Sequence, residues 1–104
     1  MKLLKGTVRR KDDRYIVEDM DLDDVIISRT ILFSIKSTRG HSHKNQEAYV
    51  FINGGTLALD FKNRLVEEGQ TVIVPEGVHH RVFNNSDMNM VFYNMWMKKN
   101  GLVK

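Results

Sequence analysis

Three of the chain's four histidines and one glutamate have the types and spacing of a metal site. His41-Ser42-His43 sets two imidazoles two residues apart, and side chains alternate along a strand, so both project from one face. Glu47 keeps the same parity. An unbroken extended segment would therefore carry two imidazoles and a carboxylate together. A neutral imidazole is the commonest nitrogen ligand, and a carboxylate adds charge and oxygen, which together suit a first-row divalent ion. A fourth ligand from a neighbouring strand would leave positions open for water or substrate. It is sought between Gly69 and Asn84, where the residues alone do not separate His79 from His80. Three further side chains share the parity. Arg39 would place a guanidinium beside the ion, able to hold a carboxylate or phosphate bidentately, against the reading of a solvated arginine at a strand start. Tyr49 and Phe51 could line a cavity, although aromatic residues on a barrel strand are more often core.

These residues need a scaffold, and the bulk properties bound it. A chain of 104 residues has room for one domain, here residues 1–104. The absence of cysteine removes disulfides and thiolate ligands and points weakly to the cytoplasm. Met1 to Gly6 holds no secretory apolar run, and no stretch approaches the ~20 residues of a membrane span, so a soluble protein without membrane contact is expected. The charge of +3 is spread among nearly as many acids. Even Arg9-Arg10-Lys11 is followed at once by Asp12-Asp13, which argues against a nucleic-acid partner.

The pattern is one of short strands and frequent turns. Val25 to Ile35 is β-branched and apolar and reads as one long strand or two short ones. Ala48 to Ile52, Asn53-Gly54-Gly55 and Thr56 to Phe61 read as a hairpin. Turns follow at Lys62-Asn63, Glu67-Glu68-Gly69 and Asn84 to Asp87, separating strands at Arg64 to Val66, Thr71 to Val74, His79 to Phe83 and Met90 to Met97. Asp19 to Asp24 reads as a loop or a short helical turn. In the last strand both faces are apolar, so the pattern does not choose the inward side among Tyr93, Met95 and Trp96. The whole indicates an antiparallel barrel or sandwich.

Two segments narrow this further. Gly40 to Gly54 resembles the first motif of the cupin superfamily, H-x-H, three residues, E, six residues, G, with His41, His43, Glu47 and Gly54 in register; the glycine that opens the motif is missing at its usual place. The segment 69–84 resembles the second, G, five residues, P-x-G, two residues, H, three residues, N, and matches at Gly69, Pro75, Gly77, His80 and Asn84. The resemblance implies an all-β fold, a single jelly-roll antiparallel β-barrel. It also implies one divalent transition metal ion, Zn, Mn, Fe or Ni, on His41, His43, Glu47 and His80. His79 should then point the other way. Pro75 would stop its strand and Gly77 permit the turn that brings His80 back. A homodimer is also implied, and Val25 to Ile35 would offer it a strand edge.

Cupins include sugar isomerases and epimerases, dioxygenases, decarboxylases and binding modules, so fold does not choose among them. Arg39-Gly40-His41-Ser42-His43 is similar to the Arg-Gly-(x)-His-x-His stretch of cupins that tailor nucleotide sugars, although the ketoisomerases among them lack the complete ligand set. The expectation is a metal-binding isomerase or epimerase of a small anionic carbohydrate or hydroxy-carbonyl compound, its catalytic base unidentified. The rivals are an iron-dependent dioxygenase and a non-catalytic binding or sensor module.

Overall fold

A computed structural model describes residues 6–98. Met1–Lys5, most of the N-terminal stretch read above, and residues 99–104 lie outside the described residues. The elements are β1 (Thr7–Lys11), β2 (Tyr15–Leu22), β3 (Val25–Leu32), β4 (Glu47–Phe51), β5 (Gly55–Leu59), β6 (Lys62–Val66), β7 (Thr71–Val74), β8 (His80–Phe83) and β9 (Met90–Met97). They form a six-stranded sheet, ordered β1-β2-β3-β9-β4-β7, and a three-stranded sheet, β6-β5-β8, with every pairing antiparallel. This is the expected jelly-roll β-barrel. No helix among the described residues is long and apolar enough to cross a membrane.

Several local expectations change. Asp19 to Leu22 is strand, because it continues the register of β2 on β3 from Asp19–Ser28 to Leu22–Val25, with Asp19 also held by Arg9 and the Ser28 hydroxyl. The proposed hairpin is absent: β4 pairs with β7 and β9, β5 with β6 and β8, so Asn53-Gly54 is a corner between sheets. Its neighbour is a true hairpin turning at Asp60-Phe61, not Lys62-Asn63, with φ of 48° and 66° at the two turn residues. Positive φ at both is what a two-residue hairpin demands. β3 lies between β2 and β9, so it offers no edge; the open edges of its sheet are β1 and β7.

Phe51 and Leu57 are fully buried, and the rings of Tyr49, Phe51 and Phe92 pack with centroids 5.7–5.9 Å apart. Burying one such side chain contributes about 1.5–3 kcal/mol. Along β9 the inward residues are Met90, Phe92, Asn94 and Trp96, leaving Tyr93 and Met95 outside. Asn84 is also buried; its amide donates to the carbonyls of Leu32, Phe33 and Met88 at 2.7–3.1 Å, tying the β8–β9 turn to the end of β3.

Candidate metal centre

The segment before β4 is not a continuous strand, so parity alone does not align the ligands. Backbone contacts to the second motif do. His41 and His80 exchange N–H···O bonds of 3.2 and 2.9 Å, and the Gly77 N–H donates to the His43 carbonyl at 2.8 Å. Gly77 sits at φ 76°, in a turn closed by Val78 N–H to the Pro75 carbonyl at 3.3 Å. That left-handed conformation favours glycine.

Side-chain chemistry follows from the carbonyls beside each ring. The Nδ1 atoms of His43 and His80 lie 2.8 and 3.0 Å from the carbonyls of Asn45 and Val78, and that of His41 is 3.4 Å from Arg39 O. A carbonyl only accepts, so these contacts favour the tautomer with its proton on Nδ1, which leaves Nε2 free to ligate. The Nε2 atoms converge. His80 Nε2 lies 3.1 Å from His41 Nε2 and 3.7 Å from Glu47 Oε1, and His43 Nε2 lies against the same oxygen. One ligand atom from each of the four residues falls within 4.8 Å of all the others.

Acceptors facing acceptors repel unless a cation lies among them. His43 Nε2 is buried with no hydrogen-bond partner, as a ligand atom would be without its ion. Burial holds the His80 imidazole below its ordinary pKa, so it is kept in the neutral, ligating form. The donor set, three nitrogens and one carboxylate oxygen, thus fits a divalent transition metal.

His79 is turned away, as expected. Its ring stacks on Phe61 with centroids 4.3 Å apart and also lies against Gly40, where a Cβ would come within 2.4 Å of two ring atoms. Arg39, His41 and Tyr49 line a cavity of about 430 Å³ together with Arg9, Arg10 and Asn94. Phe51 does not line it, being sealed in the core behind Tyr49. Burial, with the Glu47 carboxylate adding to it, pushes the Tyr49 phenol well above its usual pKa, so it stays protonated. Among the described residues no carboxylate lines this cavity, and His41 is the one imidazole in its wall.

Sequence reasoning missed Arg9, Arg10 and Asn94. Asn94 had a signal: it is the one polar residue at the inward parity of Met90, Phe92 and Trp96.

A family model described as the cupin domain matches residues 35–96. No curated protein matches the sequence. Among solved structures, the chain is similar to the plu4264 protein of Photorhabdus luminescens, with a TM-score of 0.78 and 16% identity over 95% of this chain and 90% of that one. It is also similar to the polyketide cyclase RemF of Streptomyces resistomycificus, at 0.77 and 15% over 100% and 87%. KdgF of a Halomonas species gives 0.70 and 11% over 86% and 84%. At these identities the likeness is one of fold.

Proposed function

The chain belongs to the cupin domain family, and from that premise we propose that it holds one divalent transition metal ion and acts on a small anionic carbohydrate or related hydroxy-carbonyl compound, as an isomerase or epimerase. His41, His43, Glu47 and His80 would hold the ion. One observation carries the reading: three bare Nε2 atoms and a carboxylate oxygen converge beside a cavity large enough for such a compound.

A bound ion would supply Lewis-acid polarisation of a carbonyl or of adjacent hydroxyls. The chain's own residues supply the rest. The carbonyls of Asn45 and Val78 hold the imidazoles of His43 and His80 in the ligating tautomer. Tyr49, kept protonated, can donate to a substrate oxygen but cannot serve as a base at neutral pH. Val17, Val82 and Phe92 are apolar parts of the wall, and Arg39 offers a fork for an acidic group.

Isomerisation or epimerisation exchanges a carbon-bound hydrogen next to a carbonyl. Metal-loaded protein incubated in D2O with a panel of sugar phosphates, uronates and hydroxy acids should therefore show deuterium entering one of them by NMR. Oxygen uptake by the ferrous protein without deuterium entry would favour the dioxygenase, and saturable binding with neither would favour a binding module.

The reading includes a symmetric homodimer. It is supported by the outer face of the large sheet, where Met20, Ile27, Met95, Ala48 and Ile73 form one cross-strand row. Light scattering that reports a monomer at micromolar concentration would remove this part.

A further inference from the structure

Arg9 and Arg10 are neighbours in β1, and on a regular strand one of them would face the cavity and the other solvent. Both line the cavity. The cause is a break in register: Val8 pairs with Glu18 and Arg10 with Val17, so Arg9 is an extra residue with no partner of its own on β2. Val17 is buried and inward, which fixes Arg10 on the inner side. A bulge of this kind turns two successive side chains to one face, re-aiming a residue that regular pairing would send outward.

The two arginines then play different parts. Arg9 Nε binds Asp19 Oδ2 at 2.7 Å, and Asp19 Oδ1 accepts the Ser28 hydroxyl at 2.5 Å, so the charge of Arg9 is compensated and its aliphatic stem anchored. Arg10 and Arg39 form no ion pair among the described residues. Two guanidiniums without an ion-pair partner, brought from β1 and from the loop before His41, thus border one cavity whose described lining contains no carboxylate. Regular alternation would not do this, since an unbulged β1 would leave one of Arg9 and Arg10 facing away from the cavity.

We propose that Arg10 and Arg39 form an anion subsite beside the metal centre, with Arg9 and Asp19 fixing the bulge that aims Arg10, and that the ligand is bifunctional. One end carries oxygens for the ion; the other carries a separate acidic group, carboxylate or phosphate, for the guanidiniums. This rests on the metal reading above and extends it, because an acid group spent on the ion leaves these two cations unmatched. Guanidinium suits the role through its planar fork and weak hydration.

The test compares matched ligands by calorimetry on zinc-loaded and metal-free protein. 2-Hydroxyglutarate is set against 2-hydroxyvalerate, and 3-phosphoglycerate against glycerate; each pair shares the metal-binding end and differs in the distal acid. On the zinc-loaded wild type the diacid of at least one pair should bind at least about tenfold more tightly, in line with a charged hydrogen bond. Which pair shows the gain tells carboxylate from phosphate. Arg10→Gln and Arg39→Gln should each remove most of that gain while leaving the monoacids unchanged. Equal affinities within both pairs, or a gain indifferent to both substitutions, would overturn the subsite and leave the metal reading standing. A gain that needs Arg10 but not zinc would sink the metal reading and keep the subsite, and no binding in any arm would sink both.

Discussion

Asn94 on β9 donates its side-chain N–H to Glu47 Oε2 on β4 at 2.5 Å, and both residues are buried. Asn94 pairs in register with Tyr49, so it reaches Glu47 along the diagonal that joins inward-facing neighbours of adjacent strands. With Oε2 engaged, Oε1 is the oxygen that meets His43 and His80. The amide thereby selects which oxygen faces the imidazoles.

Asn94→Leu should weaken metal binding by about 10–100-fold, the usual effect of losing a partner that orients a ligand. The barrel should stay folded, since leucine suits the inward stripe of β9. Competition against a chelating dye measures the affinity, and circular dichroism the fold. An unchanged affinity in a folded variant would show that Glu47 needs no orientation from Asn94.

Protein purified without an affinity-tag metal column should contain near-stoichiometric divalent transition metal. His43→Ala and His80→Ala should each lower that content sharply, since each removes one of the four ligand atoms that converge among the described residues. Binding should also weaken in acid, because a protonated ring has no lone pair to give. Elemental analysis decides the matter: equally negligible metal in wild type and variants after reconstitution would refute it.

The candidate metal ligands were legible because ligation would restrict both residue type and spacing, and two short motifs carry all four. Other parts depend on pairings that lie far apart in the chain. Asn53-Gly54-Gly55 has the local chemistry of a hairpin turn, yet whether β4 meets β5 is decided by competition from β7 and β9. Phe61 is a poor turn residue by type, and its positive φ is accompanied by stacking on His79, a contact no local pattern contains. Arg9 and Arg10 were read only as a basic cluster, since alternation sends neighbours to opposite faces and only the observed register reveals the bulge.

In the metal-free protein, acid should destabilise the fold through His80. Burial lowers its pKa in the folded state from the ordinary 6.5. Between that value and the lower folded one, the unfolded chain binds a proton that the folded chain does not, so stability rises with pH across the window. The contribution of neutral His80 is therefore complete above about pH 6.5 and is lost as pH falls through its folded pKa. His80→Gln should flatten this part of a urea-stability profile relative to wild type, because the remaining histidines are common to both. Parallel profiles would mean that His80 titrates alike in the two states.

Ile35, the first residue of the stretch that matches the cupin domain, holds φ at 61°. A left-handed conformation crowds the Cβ of any L-residue against its own carbonyl, at a cost of roughly 1–2 kcal/mol, and a β-branched side chain sits at the upper end. Little burial offsets this, since Ile35 is 67% exposed. The surroundings hold it there through the Ile35 N–H to the Ser86 carbonyl at 3.2 Å and the Lys36 N–H to the Phe33 carbonyl at 3.1 Å, both main-chain bonds that glycine would keep. Glycine also frees the unfolded chain, which costs about 0.5–1 kcal/mol and opposes the relief of strain. The strain is the larger quantity, so Ile35→Gly should stabilise the protein by about 0.5–1 kcal/mol, seen as a higher urea midpoint at unchanged slope. Ile35→Val, which keeps the β-branch and the strain, should leave the midpoint where it is. A fall in the midpoint of the glycine variant would show that the surroundings do not impose this conformation on position 35.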